Sequence, residues 1–377
     1  MKRLLIDVNS AVPYFVKGTV NGIGRATIEL VRVLSKIDNL PFEVMLYSQN
    51  IKGVGFDATT PFRQKHLYLR NNATWNRCLA KWPIREWLTG YDLMHIPHNF
   101  EYVHRPERCI VTIHDALFMK MDDPVFDYSV IRQRVPELAR RCRHIITCSD
   151  SSKRDIMETM DIPEEKITVV YWGYDKDIFR PLDDQDSLQQ KIAKRFGVQR
   201  PYLFTLSCQA KRKRADVLLE CFIDYCAKGD CPFDLVMLWS NPPARLLQLA
   251  EARKVSDRLH FIKNVGDEEL TMLYNGATAM FFPSQYEGFG RPLMEAMACG
   301  TTVVTCRNSS LEEIAGDAAI YLDEPVSESI PIVMSGLAEG KYPIAELRHK
   351  GLRRAQTFSW ERFAKQMVTV YKQCLDL

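Results

Sequence analysis

Short apolar runs, often rich in β-branched residues, alternate with helix-length stretches along this chain, and no other feature of the sequence limits the fold as strongly. Arg25–Ile37 and Ser151–Met160 are two of the helical stretches. Such alternation is the signature of βαβ units, which build parallel sheets covered by helices on both faces. The predicted strands of the first half are Leu4–Val8, Phe42–Ser48, Asp92–Ile96, Ile110–Ile113, His144–Cys148 and Thr168–Trp172.

A second series of the same kind follows a segment with little apolar content. Five aspartates lie between residues 175 and 186, which is typical of a linker. The predicted strands of this half are Tyr202–Leu206, Phe233–Trp239, Leu259–Lys263, Ala279–Phe282, Thr302–Cys306 and Ala319–Leu322. Since 377 residues give room for two domains, we expect an α/β fold with two Rossmann-like domains facing a central cleft. They span residues 1–185 and 186–358, and a terminal helix, 359–377, returns to brace the first.

Composition excludes several classes of protein. The 50 basic and 47 acidic side chains leave a net charge of +3, which argues against a dedicated nucleic-acid binder. No apolar run approaches the roughly 20 residues of a membrane span, and the N-terminal run reaches Asp7 too soon for a signal peptide. Most of the 11 cysteines lie in apolar runs, which is typical of reduced, packed thiols. We therefore expect a cytoplasmic protein, either free or peripheral on the inner face of the membrane.

The most informative stretch runs from Pro283 to Gly300. A predicted strand ends at Pro283, a glycine-rich turn follows, and Pro292 suits the first turn of a helix. A helix start presents backbone N–H groups and a positive dipole end, which together bind phosphate. Glu287 lies before the turn and Glu295 within the helix, so both carboxylates could accept hydrogen bonds from sugar hydroxyls. A plain strand-turn-helix with surface acids is the alternative.

This segment resembles the Glu-x7-Glu signature of the retaining GT-B glycosyltransferases of family 4. Glu-Gly-Phe-Gly, Pro-Leu, Glu-Ala-Met-Ala-Cys-Gly and two following valines occur in the family's order. The resemblance covers nearly the whole chain and implies that the fold is GT-B. It further implies that Glu295 binds the nucleotide ribose, that Glu287 contacts the donor sugar, and that the backbone near Arg291–Met294 holds the phosphates. The implied donor-binding residues here are Glu287, Gly288, Phe289, Gly290, Arg291, Leu293 and Glu295.

Four consecutive cations, from Lys211 to Arg214, follow the first predicted strand of the second half. Without context such a cluster is usually a solvated charge run. The surrounding stretch, however, resembles the family's segment in which an Arg-Lys pair clamps the donor diphosphate, and this implies that Arg212 and Lys213 bind the donor and act in catalysis. Ser207 replaces the family's common glycine and Lys211 its common proline. Either Lys211 or Arg214 could therefore share the clamp.

Two glycines, Gly22 and Gly24, open a helix after the first strand. Thr27 stands where a dinucleotide fingerprint needs its third glycine, so we expect no nicotinamide site. The resemblance instead places both glycines in the family's Gly-Ile-Gly-Arg loop, which faces the donor phosphate and the acceptor. It implies that His114, at the end of a strand, is the active-site histidine, although a buried structural histidine is the general alternative. It also implies that Val265 contacts the base.

The resemblance implies a glycosyltransferase that moves a sugar from a nucleotide diphosphate donor to a hydroxyl with retention of configuration. GDP-mannose is the first candidate donor, and the acceptor is a saccharide or lipid-linked saccharide of polysaccharide or lipopolysaccharide synthesis. The catalytic residues that the resemblance implies are His114, Glu287, Arg212 and Lys213. Since cations and a helix N-terminus would stabilise the negative charge that develops on the diphosphate, we expect no metal and no cofactor. Two alternatives remain: a catalytically silent GT-B partner, and another GT-B enzyme such as a nucleotide-sugar epimerase or a phosphorylase.

An arginine-rich segment, Val130–Arg143, carries five arginines and one acid. On a helix Arg132, Arg140 and Arg143 would share a face. Two interpretations are open: a solvated surface helix, or a patch that faces an anionic membrane surface.

Overall fold

The computed structural model describes residues 1–18, 22–99, 102–122, 127–206, 209–229 and 231–377. The chain forms two compact units. Unit 1 comprises Met1–Gly173 with Ser359–Leu377, and unit 2 comprises Tyr174–Phe358. Each unit contains a parallel sheet with helices between its strands. The α/β fold predicted from the alternation of runs is therefore confirmed in both halves.

The sheet of unit 1 has seven parallel strands in the order β3-β2-β1-β4-β5-β6-β7. Their bounds are β1 Arg3–Asp7, β2 Glu43–Gln49, β3 Arg63–Leu67, β4 Leu93–Ile96, β5 Cys109–Thr112, β6 His144–Thr147 and β7 Ile167–Val169. In the central strand Leu5 pairs with Met45 on one side and Met94 on the other. Strand β3 was not predicted, because its sequence, RQKHL, is polar and it lies at the edge of the sheet.

In the described ranges, seven helices accompany this sheet before the chain leaves unit 1. Their bounds are α1 Val12–Lys17, α2 Gly22–Ser35, α3 Ala73–Lys81, α4 Ile84–Thr89, α5 Leu117–Lys120, α6 Ser129–Arg141 and α7 Asp150–Met160. Helix α2 buries Ile28, Leu30, Val31 and Leu34, which recur at the spacing of one helical face.

The sheet of unit 2 has six parallel strands in the order β10-β9-β8-β11-β12-β13. Their bounds are β8 Tyr202–Thr205, β9 Asp234–Leu238, β10 Leu259–Ile262, β11 Ala279–Phe282, β12 Val303–Cys306 and β13 Ala319–Leu322. The helices of this unit are α8 Gln185–Phe196, α9 Ala215–Ala227, α10 Ala244–Ala252, α11 Asp267–Gly276, α12 Arg291–Ala298, α13 Ser309–Ala315, α14 Val326–Ala338 and α15 Ile344–Gln356. All six strands predicted from the sequence are present.

The last helix, α16 Trp360–Leu375, belongs to unit 1. Gly173 allows the chain to approach it closely, because a Cβ at this position would lie 2.2 Å from the backbone nitrogen of Trp360. Farther along α16, the buried hydroxyl of Tyr371 forms a hydrogen bond with Nδ1 of His95 in β4 at 2.7 Å. These contacts fix both ends of the helix on unit 1.

The cysteines depart from the sequence expectation at one place. Cys226, in the last turn of α9, is joined to Cys231 by a disulfide. The other described cysteines are free thiols, and six of those eight are buried. The expectation of reduced, packed thiols is thus wrong for this pair.

Candidate functional site

Unit 2 offers a crevice where its strand order reverses. The chain runs from β8 to β9 and β10 on one side, then returns to place β11 on the other side of β8. In open parallel sheets ligands bind beyond the carboxyl ends of the strands at such a switch point. The cations at Lys211–Arg214 follow β8, and the turn at Ser284–Gly290 follows β11. The fold therefore brings the two main predicted motifs to one crevice.

Glu287 lies between the two predicted clamp cations. One of its oxygens, Oε1, is 3.0 Å from Nη1 of Arg212 and also contacts Nζ of Lys213. The ammonium of Lys213 lies 4.7 Å above the centre of the Phe282 ring. Burial disfavours the charged carboxylate of Glu287, but Lys213 and Arg212 outweigh that effect and lower its pKa. The site thus holds an ionised carboxylate shared by two cations.

Main-chain hydrogen bonds fix this arrangement. Nη1 of Arg212 donates to the carbonyl of Tyr286 at 2.6 Å. The carbonyl of Arg212 in turn accepts from the N–H of Gln285 at 2.8 Å. The loop after β8 is therefore joined to the loop after β11 by backbone groups as well as by charge. The neighbouring Arg214 pairs with Glu324 at 2.6 Å, so its guanidinium is engaged outside this cluster.

The start of α13 holds the backbone of Glu287. Its N–H donates to Oγ of Ser309 at 3.0 Å, and its carbonyl accepts from Oγ of Ser310 at 2.9 Å. Asn308 donates to the carbonyl of Ser284 at 3.2 Å. Sequence reasoning missed these three side chains. Their position directly after β12, at the same sheet edge, is the sequence feature that could have identified them as site residues.

Glu295 is buried in α12 and has its own cation. Nη2 and Nε of Arg291, one turn earlier, donate to Oε1 of Glu295 at 2.7 and 3.1 Å. The hydroxyl of Tyr274 donates to the other oxygen at 3.4 Å. Burial, with the Glu295 charge beside it, raises the pKa of Tyr274 well above its usual value. Tyr274 therefore remains a hydrogen-bond donor at all physiological pH values.

The glycine-rich turn before α12 adopts a left-handed conformation at Gly290, with φ of 92°. A Cβ there would also lie 3.2 Å from Leu311, so the position favours glycine on two grounds. The N–H groups of Leu293 and Met294 donate to the carbonyl of Gly290 at 3.0 and 3.4 Å, and Pro292 has no N–H. The predicted phosphate donors at Arg291–Met294 are thus largely used within the turn.

Two further predicted donor contacts lie nearby in unit 2. Val265 is half-buried in the loop after β10, at the carboxyl edge of the sheet. Phe289 is buried and packs edge-on against Phe358, with ring centres 5.8 Å apart. Gly288 lies between Glu287 and Phe289 in the loop after β11. Their contacts with a donor remain predictions.

In unit 1, His114 follows β5 and is buried. Its Nε2 donates to the carbonyl of Pro97 at 3.1 Å, and among the described residues its Nδ1 has no hydrogen-bond partner. Burial lowers the pKa of His114 to about 4, so its imidazole is neutral at pH 7 with an acceptor nitrogen available. The ring helps to line a small cavity with Thr27, Thr112 and Trp172.

His95 in β4 differs from His114 because both of its ring nitrogens have partners. Nδ1 forms a hydrogen bond with the hydroxyl of Tyr371, and Nε2 is 2.8 Å from Oγ1 of Thr112. Burial lowers its pKa to about 3. This histidine has partners at both nitrogens, whereas Nδ1 of His114 is buried without a hydrogen-bond partner among the described residues; its active-site role stays a prediction.

The predicted glycine loop is only partly described. Gly22 begins α2 and Gly24 is buried within its first turn. Thr19, Val20 and Asn21, which precede them in the motif, lie outside the described residues. The role of these glycines in binding a donor or acceptor therefore remains a prediction.

The three arginines expected to share a face in the segment 130–143 make contacts within unit 1. Arg132 donates to the carbonyls of Phe118 and Met121, and Arg140 donates to the carbonyl of Met160 at 3.1 Å. Arg143, beyond the end of α6, pairs with Asp376 at 2.6 Å. These contacts occupy part of each guanidinium, and the membrane-facing interpretation of the segment stays a prediction.

Within the described ranges, no group of three or more histidine, cysteine, aspartate and glutamate side chains could hold a metal ion. No helix in the same ranges is both long enough and apolar enough to cross a membrane. The expected independence from metal remains a prediction.

Two family models match the chain in succession. Residues 20–178 match the model described as "Glycosyltransferase Family 4", and residues 188–330 match "Glycosyl transferases group 1". Together they cover most of both units and all the predicted site residues. The second match includes the clamp cations and both glutamates.

Named relatives and solved structures agree with these models. The chain is 26% identical to O-antigen chain mannosyltransferase B of Escherichia coli, over 95% of this chain and 97% of that protein. It is 29% identical to the MMP α-(1→4)-mannosyltransferase of Mycolicibacterium hassiacum, over 63% of this chain and 56% of that protein. It resembles the structure of Anabaena HepE in complex with UDP and glucose, with a TM-score of 0.72 and 16% identity, over 99% of this chain and 100% of that one.

Proposed function

The chain belongs to the family 4-like GT-B glycosyltransferases, and from this we propose that it transfers a sugar from a nucleotide diphosphate donor to a hydroxyl acceptor with retention of configuration. Unit 2 binds the donor. The observation that carries the proposal is the pairing of Glu287 with both Arg212 and Lys213 at the switch point of the unit 2 sheet. Two cations and a carboxylate there match the charges of a diphosphate and the hydroxyls of a sugar.

The chemistry of transfer is mainly stabilisation of the leaving group. As the bond between sugar and phosphate breaks, negative charge accumulates on the diphosphate while the sugar takes on oxocarbenium character. Arg212 and Lys213 lie where they can stabilise that charge, and donors held in place before reaction need no reorganisation. Because a retaining double displacement would need a carboxylate below the anomeric carbon, we favour attack from the front face, with the leaving phosphate accepting the proton.

Glu295 binds the ribose in this proposal. Its Oε1 is occupied by Arg291 and its Oε2 by the more distant hydroxyl of Tyr274. A ribose hydroxyl can donate to Oε2 if it replaces or shares the 3.4 Å contact with Tyr274. Arg291 meanwhile holds Oε1 through two hydrogen bonds and so fixes the orientation of the carboxylate.

The acceptor binds to unit 1, where His114 presents a neutral Nδ1 beside a cavity. A neutral imidazole nitrogen accepts a hydrogen bond from a sugar hydroxyl without bringing a positive charge to the reacting centre. The acceptor class is a saccharide or a lipid-linked saccharide of polysaccharide or lipopolysaccharide synthesis. The name of the E. coli relative, an O-antigen chain mannosyltransferase, supports this class and supports GDP-mannose as the first donor to test.

Donor turnover by the purified chain tests the proposal. The protein is incubated with a panel of GDP- and UDP-sugars without added metal, and release of nucleotide and of free sugar is followed, with the anomer determined by NMR. We expect slow hydrolysis of one donor, at least tenfold above that of an Arg212→Ala and Lys213→Ala double variant. The control variant is Arg200→Ala, because Arg200 precedes β8 at the opposite sheet edge and pairs with Asp234.

Three outcomes would contradict the proposal. Binding of nucleotide without any turnover, with or without candidate acceptors, would indicate a silent binding partner. Conversion of one nucleotide sugar into its epimer would indicate an epimerase. Transfer with inversion of the anomeric centre would overturn the retaining mechanism.

A further inference from the structure

Three polar side chains between β12 and α13 make their hydrogen bonds with another loop. Asparagine and serine at the start of a helix usually cap the free N–H groups of its first turn. Asn308 makes no such cap, and its Nδ2 donates instead to the carbonyl of Ser284 at 3.2 Å. Ser309 and Ser310 bond to the main-chain groups of Glu287. These polar groups therefore serve the loop after β11 rather than their own helix.

The hydrogen bonds form one connected path. The N–H of Glu287 donates to Oγ of Ser309 at 3.0 Å, and that hydroxyl donates to Oδ1 of Asn308 at 3.1 Å. Since Asn308 also donates to Ser284, the path joins Glu287 to the start of its own loop. The carbonyl of Glu287 accepts separately from Oγ of Ser310 at 2.9 Å. Both polar groups of the Glu287 main chain are therefore held.

Ser309 adopts a backbone conformation that serine rarely takes. Its φ is 45°, in the left-handed region, where a Cβ crowds the backbone. A residue stays in such a conformation only where its surroundings impose it, and residues of this kind are concentrated at functional sites. Glycine would fit this φ without strain, but it could not accept the N–H of Glu287. The strain at Ser309 therefore accompanies a contact that only a side chain can make.

The bonds to the main chain of Glu287 do not involve its carboxylate. That carboxylate pairs with Arg212 and Lys213, and a bound diphosphate would compete for both cations. Glu287 lies in the turn between β11 and α12, where no helix or strand pairing fixes its backbone. When the cations contact a diphosphate instead, the bonds from Ser309 and Ser310 would still hold the residue in place.

We propose that Ser309 is a positioning residue of the transfer reaction, which holds the main chain of Glu287 so that its carboxylate can leave the cations and reach the donor sugar. The role rests on the proposed function, because Ser309 acts only through Glu287. Ser310 has a smaller part, because its own N–H also reaches the carbonyl of Glu287 at 3.4 Å and remains when its hydroxyl is removed.

Two substitutions separate the hydrogen bond of Ser309 from its strain. Ser309→Gly removes the hydroxyl and relieves the backbone, whereas Ser309→Ala removes the hydroxyl and keeps the strain. The substrate is the GDP- or UDP-sugar that the wild-type chain consumes fastest. Both variants should lower kcat roughly tenfold, the effect of one lost hydrogen bond, and Ser309→Ala should unfold at the lower temperature. Ser310→Ala should lower kcat less than Ser309→Gly does.

Two further measurements distinguish positioning from a general loss of stability. Binding of free GDP or UDP should stay within about twofold of wild type, because a contact made only with the sugar affects kcat rather than nucleotide affinity. Hydrogen exchange of residues 284–290 should be faster in Ser309→Gly than in wild type, both with and without nucleotide.

A double-mutant cycle with Glu287→Ala tests whether Ser309 acts through Glu287. In the Glu287→Ala background, Ser309→Gly should change kcat less than about twofold, because the side chain that it positions is already absent. The matched control is Ser329→Ala. The hydroxyl of Ser329 likewise accepts a loop N–H in unit 2, that of Asp323 at 3.1 Å, and this variant should keep the wild-type kcat.

A wild-type kcat in Ser309→Gly overturns the proposal, and so does an equal fall in kcat with and without the Glu287 side chain. Unchanged hydrogen exchange of residues 284–290 in Ser309→Gly overturns it without reference to turnover. If Glu287→Ala consumes donor at the wild-type rate, the proposed role of Glu287 fails and the role of Ser309 fails with it. If Glu287→Ala is impaired while Ser309→Gly is not, only the positioning role fails.

Discussion

Replacing both Arg212 and Lys213 by alanine should remove most of the donor turnover. In the structure the two cations converge on one oxygen of Glu287, and a diphosphate bound at the same place would receive both charges. A charge-assisted hydrogen bond contributes about 1.5–3 kcal/mol. Each substitution should therefore lower the rate about ten- to a hundredfold, and together they should lower it further.

The same substitutions affect folding, because Glu287 is buried and loses both of its partners. Leaving a buried charge uncompensated costs about 3–5 kcal/mol. Adding Glu287→Gln to the double variant removes that charge and should recover much of the lost stability without recovering turnover. The unfolding temperatures of the double and triple variants isolate the structural cost of the uncompensated carboxylate, and the turnover of the triple variant is compared with that of Glu287→Gln alone, because Glu287 also takes part in the reaction.

The assay compares initial rates of donor consumption with thermal unfolding for wild type, the double variant, the triple variant and Arg200→Ala. We expect Arg200→Ala to match wild type in rate. If the folded double variant consumes donor at the wild-type rate, Arg212 and Lys213 do not bind the diphosphate and the assignment of the crevice is refuted.

Three further predictions follow from the site. Glu295→Ala should weaken binding of free nucleotide diphosphate in calorimetry, whereas Glu287→Ala should mainly lower kcat; equal losses of nucleotide affinity would contradict this division. His114→Ala should lower transfer to an acceptor but leave nucleotide affinity within a fewfold of wild type, and a large drop in affinity would place His114 on the wrong ligand. Since the folded-state pKa of Glu287 is lowered, its stabilising contribution should be complete above about pH 4.5 and lost as the pH falls through the folded pKa; a stability difference between wild type and Glu287→Gln that does not change with pH would contradict the ion pair.

The strands that could be predicted from the sequence are those buried on both faces. Such strands read as unbroken apolar runs, as in Leu4–Ile6 and Ala279–Phe282, where every side chain is nearly fully buried. The edge strand β3 escaped prediction because solvent reaches it and its side chains are polar. The short helices α3 and α4 escaped for a related reason: each buries only two residues, so neither has a long apolar period.

The candidate site also contains features that could be predicted from the sequence and features that could not. Glu287, Glu295, Arg212 and Lys213 could be found because each lies in a local motif with recognisable neighbours. Their pairing could not, because Glu287 and Lys213 are 74 residues apart and meet only through the strand order of the sheet. The contact between Arg291 and Glu295 could have been predicted, since residues four apart on a helix are neighbours. The turn was instead predicted to bind phosphate through its backbone, and this ion pair was not predicted.

The ion pairs of Glu287 also bear on the order of events in the crevice. One buried carboxylate between Arg212 and Lys213 compensates one of their two positive charges before the donor arrives, and gives both cations a partner. A diphosphate must share or replace the carboxylate as their partner. Glu287 would then turn its oxygens toward the donor sugar, which is the contact that the family resemblance assigns to it. On this argument Glu287→Gln should bind free nucleotide diphosphate at least as tightly as wild type while transferring sugar more slowly, because the same residue competes with the diphosphate and serves the sugar.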